Sequence, residues 1–356
     1  MSDAFPVRTT LAPAPRMPSL ATARVREVSN LAFKTVAVVN PAAAAGSAGR
    51  RWQRWRKFLA AACGATDTVF TTGLGHATAV TRRAIEEGAE RIVVVGGDGT
   101  LNEVVNGFFT PEGESIAGDE VTLVLIPAGT GGDFARSTGT RGCSVEQIFH
   151  ESSVQRVDLG RVELTQSDGR PLMRHFINIS SFGMSGLVVS MVNRTTKRFG
   201  ATASFLWGTL RGLLQSEIQP VRLHIDGARH VDVSTRTVAV ANGRYFGGAM
   251  KIAPHALIND GCFDVIVVGD IGLAAFAGLS RKLYRGEHLG DPRIEHFRAR
   301  EIIAEPLGKD EVLVEVDGEQ PGKLPARYRI MPSALRVLSP WGRAEALAIS
   351  SGGPTS

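Results

Sequence analysis

Cysteine is scarce in this chain, and the scarcity removes two classes of protein. Cys63, Cys143 and Cys262 are 3 cysteines in 356 residues, an odd number at wide spacing. That excludes a disulfide scaffold and offers no pair at zinc-ligand spacing. The expectation is a cytoplasmic protein whose three thiols are small buried apolar groups. Long apolar runs are missing as well. The most apolar stretch, FDVIVVGDIGLAAFAGL at 263–279, is interrupted by Asp264 and Asp270. No segment reaches the roughly 18 uncharged residues of a membrane-crossing helix. Neither sign of charge dominates: 40 Lys and Arg against 35 Asp and Glu leave +5. Such mild basicity suits an anionic ligand or membrane surface but not a dedicated nucleic-acid binder.

What the chain has is glycine and short apolar strands. The length allows two domains. Residues 1–33 are rich in Ala, Pro and Arg without the apolar core of a secretory signal, and read as a disordered tail. From 34 to 155, strands at 35–40, 67–72, 91–96 and 121–127 alternate with helices at 49–63, 76–89 and 100–109, which predicts a parallel sheet covered on both faces. From 156 to 326, strand patterns at 156–164, 174–183, 221–227, 234–243, 262–269, 300–306 and 311–318 predict an antiparallel β-rich domain. Only 186–217 and 271–286 look helical there. A last strand at 327–340 could close either domain, the segment to 343 completing the first. The Gly- and Ser-rich end, 344–356, reads as a flexible tail.

Three Gly-rich loops follow strands of the first domain, where open α/β sheets bind ligands. In NPAAAAGSAGR (40–50), backbone amides and a helix start could hold a phosphate. In GGDGTLNEVVNG (96–107), Thr100 and Glu103 stand at capping-box spacing and Leu101, Val104, Val105 and Phe108 form a buried face. Gly96, Gly97 and Gly99 would permit close backbone approach to a ligand. Asp98 would repel a bare phosphate there, so Mg²⁺ or a sugar hydroxyl is its expected neighbour. The spacing is neither a dinucleotide fingerprint nor a Walker loop. In IPAGTGGDFARS (126–137), Thr130 and Asp133 are the polar groups, and Arg136 could pair with Asp133 or face a phosphate.

Together with KIAPHALINDGCFDVIVV (251–268) and VDGEQ (316–320), these loops resemble the diacylglycerol kinase catalytic-domain family, bacterial soluble lipid kinases related to sphingosine and ceramide kinases. The resemblance spans about residues 34–340. It implies an α/β fold: an N-terminal nucleotide-binding domain like those of phosphofructokinase and NAD kinase, followed by a β-sandwich. It implies ATP and Mg²⁺ as cofactors and a lipid hydroxyl as acceptor, met at the inner face of a membrane, with a homodimer left open. Asn40, Pro41, Ala42, Ala43, Ala44, Thr71, Gly97, Asp98, Gly99, Thr100, Leu101, Asn102, Glu103 and Thr130 would surround the nucleotide. Asp98 would act through Mg²⁺, supported by Asp133, and Glu319 would be the general base with Asp317 beside it. Asp260 and the carbonyls of Leu257 and Cys262 would form a structural Mg²⁺ site.

Two departures stand out. Gly132 replaces an Asn usual in the third loop, and an Ala run replaces Ser-Gly in the first. Taken alone, Asp317-Gly318 is also a hairpin turn signal and Asn259-Asp260-Gly261 a turn. Two other readings stand beside the lipid kinase: an NAD kinase or phosphofructokinase relative, and a lipid or nucleotide sensor without turnover. For lipid contact, the basic helix at 50–63 carries Arg50, Arg51, Arg54, Arg56 and Lys57 beside two Trp, and 193–216 carries Phe205, Leu206, Trp207, Leu210, Leu213 and Leu214. In both, ordinary packing against a core is the alternative.

Overall fold

The computed structural model describes residues 35–340 apart from 119, 130, 151, 184–217 and 272. Both terminal tails, Thr130 and the apolar segment at 193–216 lie outside the described residues.

Short runs of Val and Ala make the first strands, β1 (Thr35–Val39), β2 (Thr66–Phe70), β3 (Arg91–Gly96) and β4 (Thr122–Pro127). They pair in parallel in the order β4-β3-β1-β2. Alternate side chains serve opposite faces, as the pleat requires. Val36, Val38, Ile92, Val94, Leu123 and Leu125 share a core with residues of α2 (His76–Glu86) and α3 (Asp98–Asn106). Ala37, Val39, Val93, Val95, Val124 and Ile126 pack with α1 (Ser47–Cys63) and α5 (Val145–His150). The short α4 (Asp133–Ser137) follows β4.

On α1, Ala48, Trp52 and Leu59 are buried, with Trp55 and Cys63 packed alongside. Ala62, three residues beyond Leu59, is exposed. Cys63, Cys143 and Cys262 form no disulfide among the described residues and are only half-buried, Cys63 and Cys143 at the margin of one core.

The rest of the described chain is β-rich. It comprises β5 (Ser153–Thr165), β6 (Pro171–Phe176), β7 (Ile179–Gly183), β8 (Gln219–Ile225), β9 (Arg229–Thr235), β10 (Thr237–Ala241), β11 (Phe263–Val268), α6 (Leu273–Arg285), β12 (Ile294–Ala299), β13 (Glu301–Pro306), β14 (Leu313–Val316) and β15 (Glu319–Ser339). All pairings among these strands are antiparallel, around a core that includes Phe176, Phe182, Phe263 and Tyr328.

Several elements differ from the sequence expectation. The single strand at 174–183 is two, because the amides of Ile177, Asn178 and Ile179 turn to the Asp317 carboxylate instead of a neighbouring strand. The strands β9 and β12 were not anticipated, since RHVDVST and IEHFRA are too polar to read as strands. The last strand serves both units. Its residues 336–338 run parallel to β4, while its earlier part pairs with β13, β14 and β5. Bulges at 323–326 and 331–335 shift the register of this long strand against β5.

Candidate active site

The three loops at the β1, β3 and β4 ends converge. Asn40 donates through Nδ2 to Thr100 Oγ1 at 2.9 Å, and its Oδ1 accepts from Ala42 N, so the first loop is tied to the first turn of α3. Ala44 and Ala45 stand at φ 50° and 54°, a left-handed conformation that costs an alanine roughly 1–2 kcal/mol per residue. Strain thus falls within the Ala run of the first loop. Thr71 N donates to Val39 O at 2.8 Å, setting the β2 end beside this loop.

The capping box does not form. The N-cap of α3 is Gly97, and Thr100 lies inside the first turn. Glu103 instead receives the amide of Ala77 on its Oε2 at 3.0 Å and so caps α2. Sequence spacing is blind to this because the competing amide comes from another helix. Leu101 is in the core, and Asn102 is buried, donating to His175 O and to Asp317 Oδ2.

Most of the glycines answer to each other and to neighbouring side chains. A Cβ on Gly96 would meet Thr100 Cβ at 2.6 Å, and one on Gly129 would meet Gly97 Cα at 2.6 Å. Gly99 alone of the second loop faces open space. Gly129→Ala is therefore expected to destabilise the fold by about 1–3 kcal/mol, the usual range for overpacking. Urea unfolding measures it, and an unchanged midpoint would show that the two loops can part without cost.

Asp98 holds the third loop. Its Oδ2 accepts from Gly132 N at 2.8 Å and Asp133 N at 3.3 Å, and its Oδ1 accepts from Phe134 N at 3.3 Å. The acid thus neutralises the amide-rich start of α4. Gly132 has φ 62°, a conformation that Gly and Asn both tolerate, but a Cβ here would meet Arg141 Nη1 at 2.5 Å, so an Asn would require that side chain to shift. Asp133 turns away and accepts Gly248 N at 2.9 Å and Ala249 N at 2.8 Å from the connection between β10 and β11. Burial, and then the Asp98 charge, push its carboxyl up. Arg136 approaches Asp133 to 3.7 Å without a hydrogen bond.

The hairpin joining β14 to β15 closes over α3. Asp317 accepts four donors: Ile177 N and Asn102 Nδ2 on Oδ2, Asn178 N and Ile179 N on Oδ1. Burial pushes this carboxyl up to about 6, against the pull of its donors. Glu319, two residues on, is half-buried, and its carboxyl has no hydrogen bond among the described residues. Burial raises its pKa, Arg174 on β6 lowers it, and Glu103 on α3 raises it again. This places Glu319 within electrostatic reach of the second loop's helix.

Asp260 Oδ1 accepts from Cys262 N at 3.2 Å, and Arg298 is salt-bridged to its Oδ2. Asp158, buried on β5, holds the same turn through Gly261 N and also receives Ser333 N, both at 2.7 Å. Asp158, Asn106 and Glu315 are structural acceptors or donors that the sequence reading missed. Their only signal is a polar residue inside an apolar pattern.

A parallel sheet with helices on both faces, its strand-end loops hydrogen-bonded to one another and to an antiparallel β-rich unit, is a mixed α/β fold of the kind that binds nucleotides. Comparison with known proteins narrows this. The family model described as "Diacylglycerol kinase catalytic domain" matches residues 34–162, and "YegS C-terminal NAD kinase beta sandwich-like domain" matches 178–339. The diacylglycerol kinase of Bacillus subtilis (strain 168) is 30% identical over 79% of this chain and 88% of its own. That of Mycobacterium tuberculosis (strain ATCC 25618 / H37Rv) is 26% identical over 72% and 79%. A crystal structure of a diacylglycerol kinase from Bacillus anthracis str. Sterne superposes with TM-score 0.63 at 25% identity, covering 87% of this chain and 98% of that one. The chain belongs to the diacylglycerol kinase catalytic-domain family, and it is a lipid kinase.

Proposed function

We propose that the protein transfers the γ-phosphoryl group of ATP to the hydroxyl of a diacylglycerol-like or sphingoid lipid, with Glu319 as general base. The observation that carries the reading is the hairpin. Asp317 binds it to α3 through Asn102, and the half-buried Glu319 carboxylate two residues on lies within electrostatic reach of Glu103 on that helix. A base must be ionised to take the acceptor proton, yet basic enough to keep it, and partial burial supplies that poise. Loop amides around Asn40–Ala44 and Gly97–Gly99, with Thr71, Thr100 and Thr130, would hold the phosphates, and Asp98 and Asp133 would fix the loops that present them.

Mg²⁺ bound with the nucleotide would neutralise phosphate charge during transfer. Asp98 is the carboxylate suited to it, although its oxygens already serve three amides, so it fits only as a shared or water-mediated ligand. At the turn around Asp260, with the Leu257 and Cys262 carbonyls, a divalent cation would have to displace Arg298, and the fit is poorer.

Among the described residues no helix is long and apolar enough to cross a membrane. Arg50, Arg51, Arg54, Arg56 and Lys57 are exposed on a helix without acids, while Trp52 packs inward. That supports peripheral contact with an anionic inner membrane face. The test is labelled-ATP turnover against diacylglycerol, sphingosine, ceramide, undecaprenol, NAD and sugar phosphates. Transfer to a lipid is expected. Transfer to NAD alone, or nucleotide binding without transfer to any acceptor, would overturn the reading.

A further inference from the structure

The hairpin that carries Glu319 contains a third acid, and its surroundings are unlike those of the other two. Glu315 stands on β14 opposite Ser181 of β7 and is only 6% exposed. Its Oε2 meets Ser181 Oγ at 2.5 Å, and its Oε1 accepts the amide of Gly318. Val316 pairs with Glu319 across Asp317-Gly318, whose φ values of 46° and 92° make a two-residue turn of left-handed residues. The amide that Glu315 takes belongs to the residue just before Glu319.

We propose that Glu315 is a positioning residue, whose carboxyl pins the Gly318 peptide and thereby fixes where Glu319 leaves the sheet. The inference rests on the reading of Glu319 as base. Two anchors then define the turn from opposite sides. Asp317 fastens it to β7 and α3, and Glu315 fastens it to the floor of the sandwich. Without the second anchor the turn could rock about the first, and Glu319 would sample positions away from the acceptor.

The protonation state matters. Burial and the Asp317 charge push the Glu315 carboxyl up to about 8, so it is neutral at pH 7. A neutral acid satisfies both neighbours: one oxygen accepts the Gly318 amide while the other shares its proton with Ser181 Oγ. The other groups facing it are the Tyr328 phenol on β15 and Asp317 on the turn, while the Ser180 hydroxyl on β7 donates to the Glu315 main-chain oxygen. None is cationic. Ionisation therefore adds uncompensated charge beside Asp317 and loosens the turn, so activity should fall as pH rises through about 8.

The experiment measures kcat, the ATP KM and the pH profile with dioleoylglycerol in phosphatidylglycerol vesicles for the wild type, E315Q, E315L and E319Q. Glutamine reproduces the neutral acid, so E315Q should keep the wild-type kcat and lose the alkaline fall. E315L should lose kcat by roughly 100-fold, with ATP KM unchanged, since misplacement by about an ångström costs that much. Wild-type kcat in E315L, or damage in E315Q equal to that in E315L, overturns the inference. If E315L does not fold, E315Q alone decides, and an unshifted alkaline limb overturns it. An active E319Q refutes the base itself, whereas an inactive E319Q beside an active E315L refutes only the positioning role.

Discussion

Glu319→Gln is expected to lose phosphoryl transfer by roughly 10²- to 10⁴-fold while binding ATP as tightly as the wild type. The amide is the same shape, and the carboxyl it replaces makes no hydrogen bond among the described residues, so the fold should not notice the change. What disappears is the proton acceptor of the proposed mechanism. The sign of the pH dependence follows from the same surroundings. Burial and Glu103 raise the carboxyl above its ordinary value of 4.5, with Arg174 opposing them. Only the ionised form acts as base, so turnover should fall as pH drops through the raised value. Arg174→Met removes the opposing cation and should move this acid limb to still higher pH. Labelled-ATP turnover across pH and equilibrium ATP binding check both points. Undiminished turnover in Glu319→Gln would remove Glu319 from the role of base.

Asp317→Ala is expected to cost several kcal/mol of stability as well as activity. Four donors converge on this carboxylate, three of them backbone amides that no neighbouring strand takes, and each orphaned buried group costs about 1–3 kcal/mol. Asp317→Asn should be intermediate. Asn also tolerates the left-handed backbone at φ 46°, but it offers one acceptor oxygen where two are used. Urea unfolding separates the three proteins. A loss below about 1 kcal/mol in the alanine variant would mean that water replaces the carboxylate at no great cost.

The parallel sheet was legible because its strands are buried on both faces and written as unbroken apolar runs. The same logic failed for β9 and β12, where one face is wet and the residues are mostly polar. The Thr100–Glu103 spacing misled for a different reason. A capping box is a local rule, and Glu103 found its amide at Ala77, 26 positions away on another helix. The three glycine loops, the Asp-Gly-Glu turn and the placement of Asp98 and Glu319 at loop ends were visible as pattern.

The sequence by itself determined the alternation of strand and helix, the glycines at the strand ends and the family to which the chain belongs. Those features depend on period and local spacing, which a linear string records. Only the tertiary structure decided what the acids do. Asp98 reaches the third loop across 34 positions, Asp133 reaches Gly248 across 115, and Asp317 reaches Asn102 across 215. Glu315 lies three residues from Gly318, yet its isolation from water depends on β7, 134 positions from it. A carboxylate's role is set by which donors surround it and how much water remains, and folding alone brings those donors together.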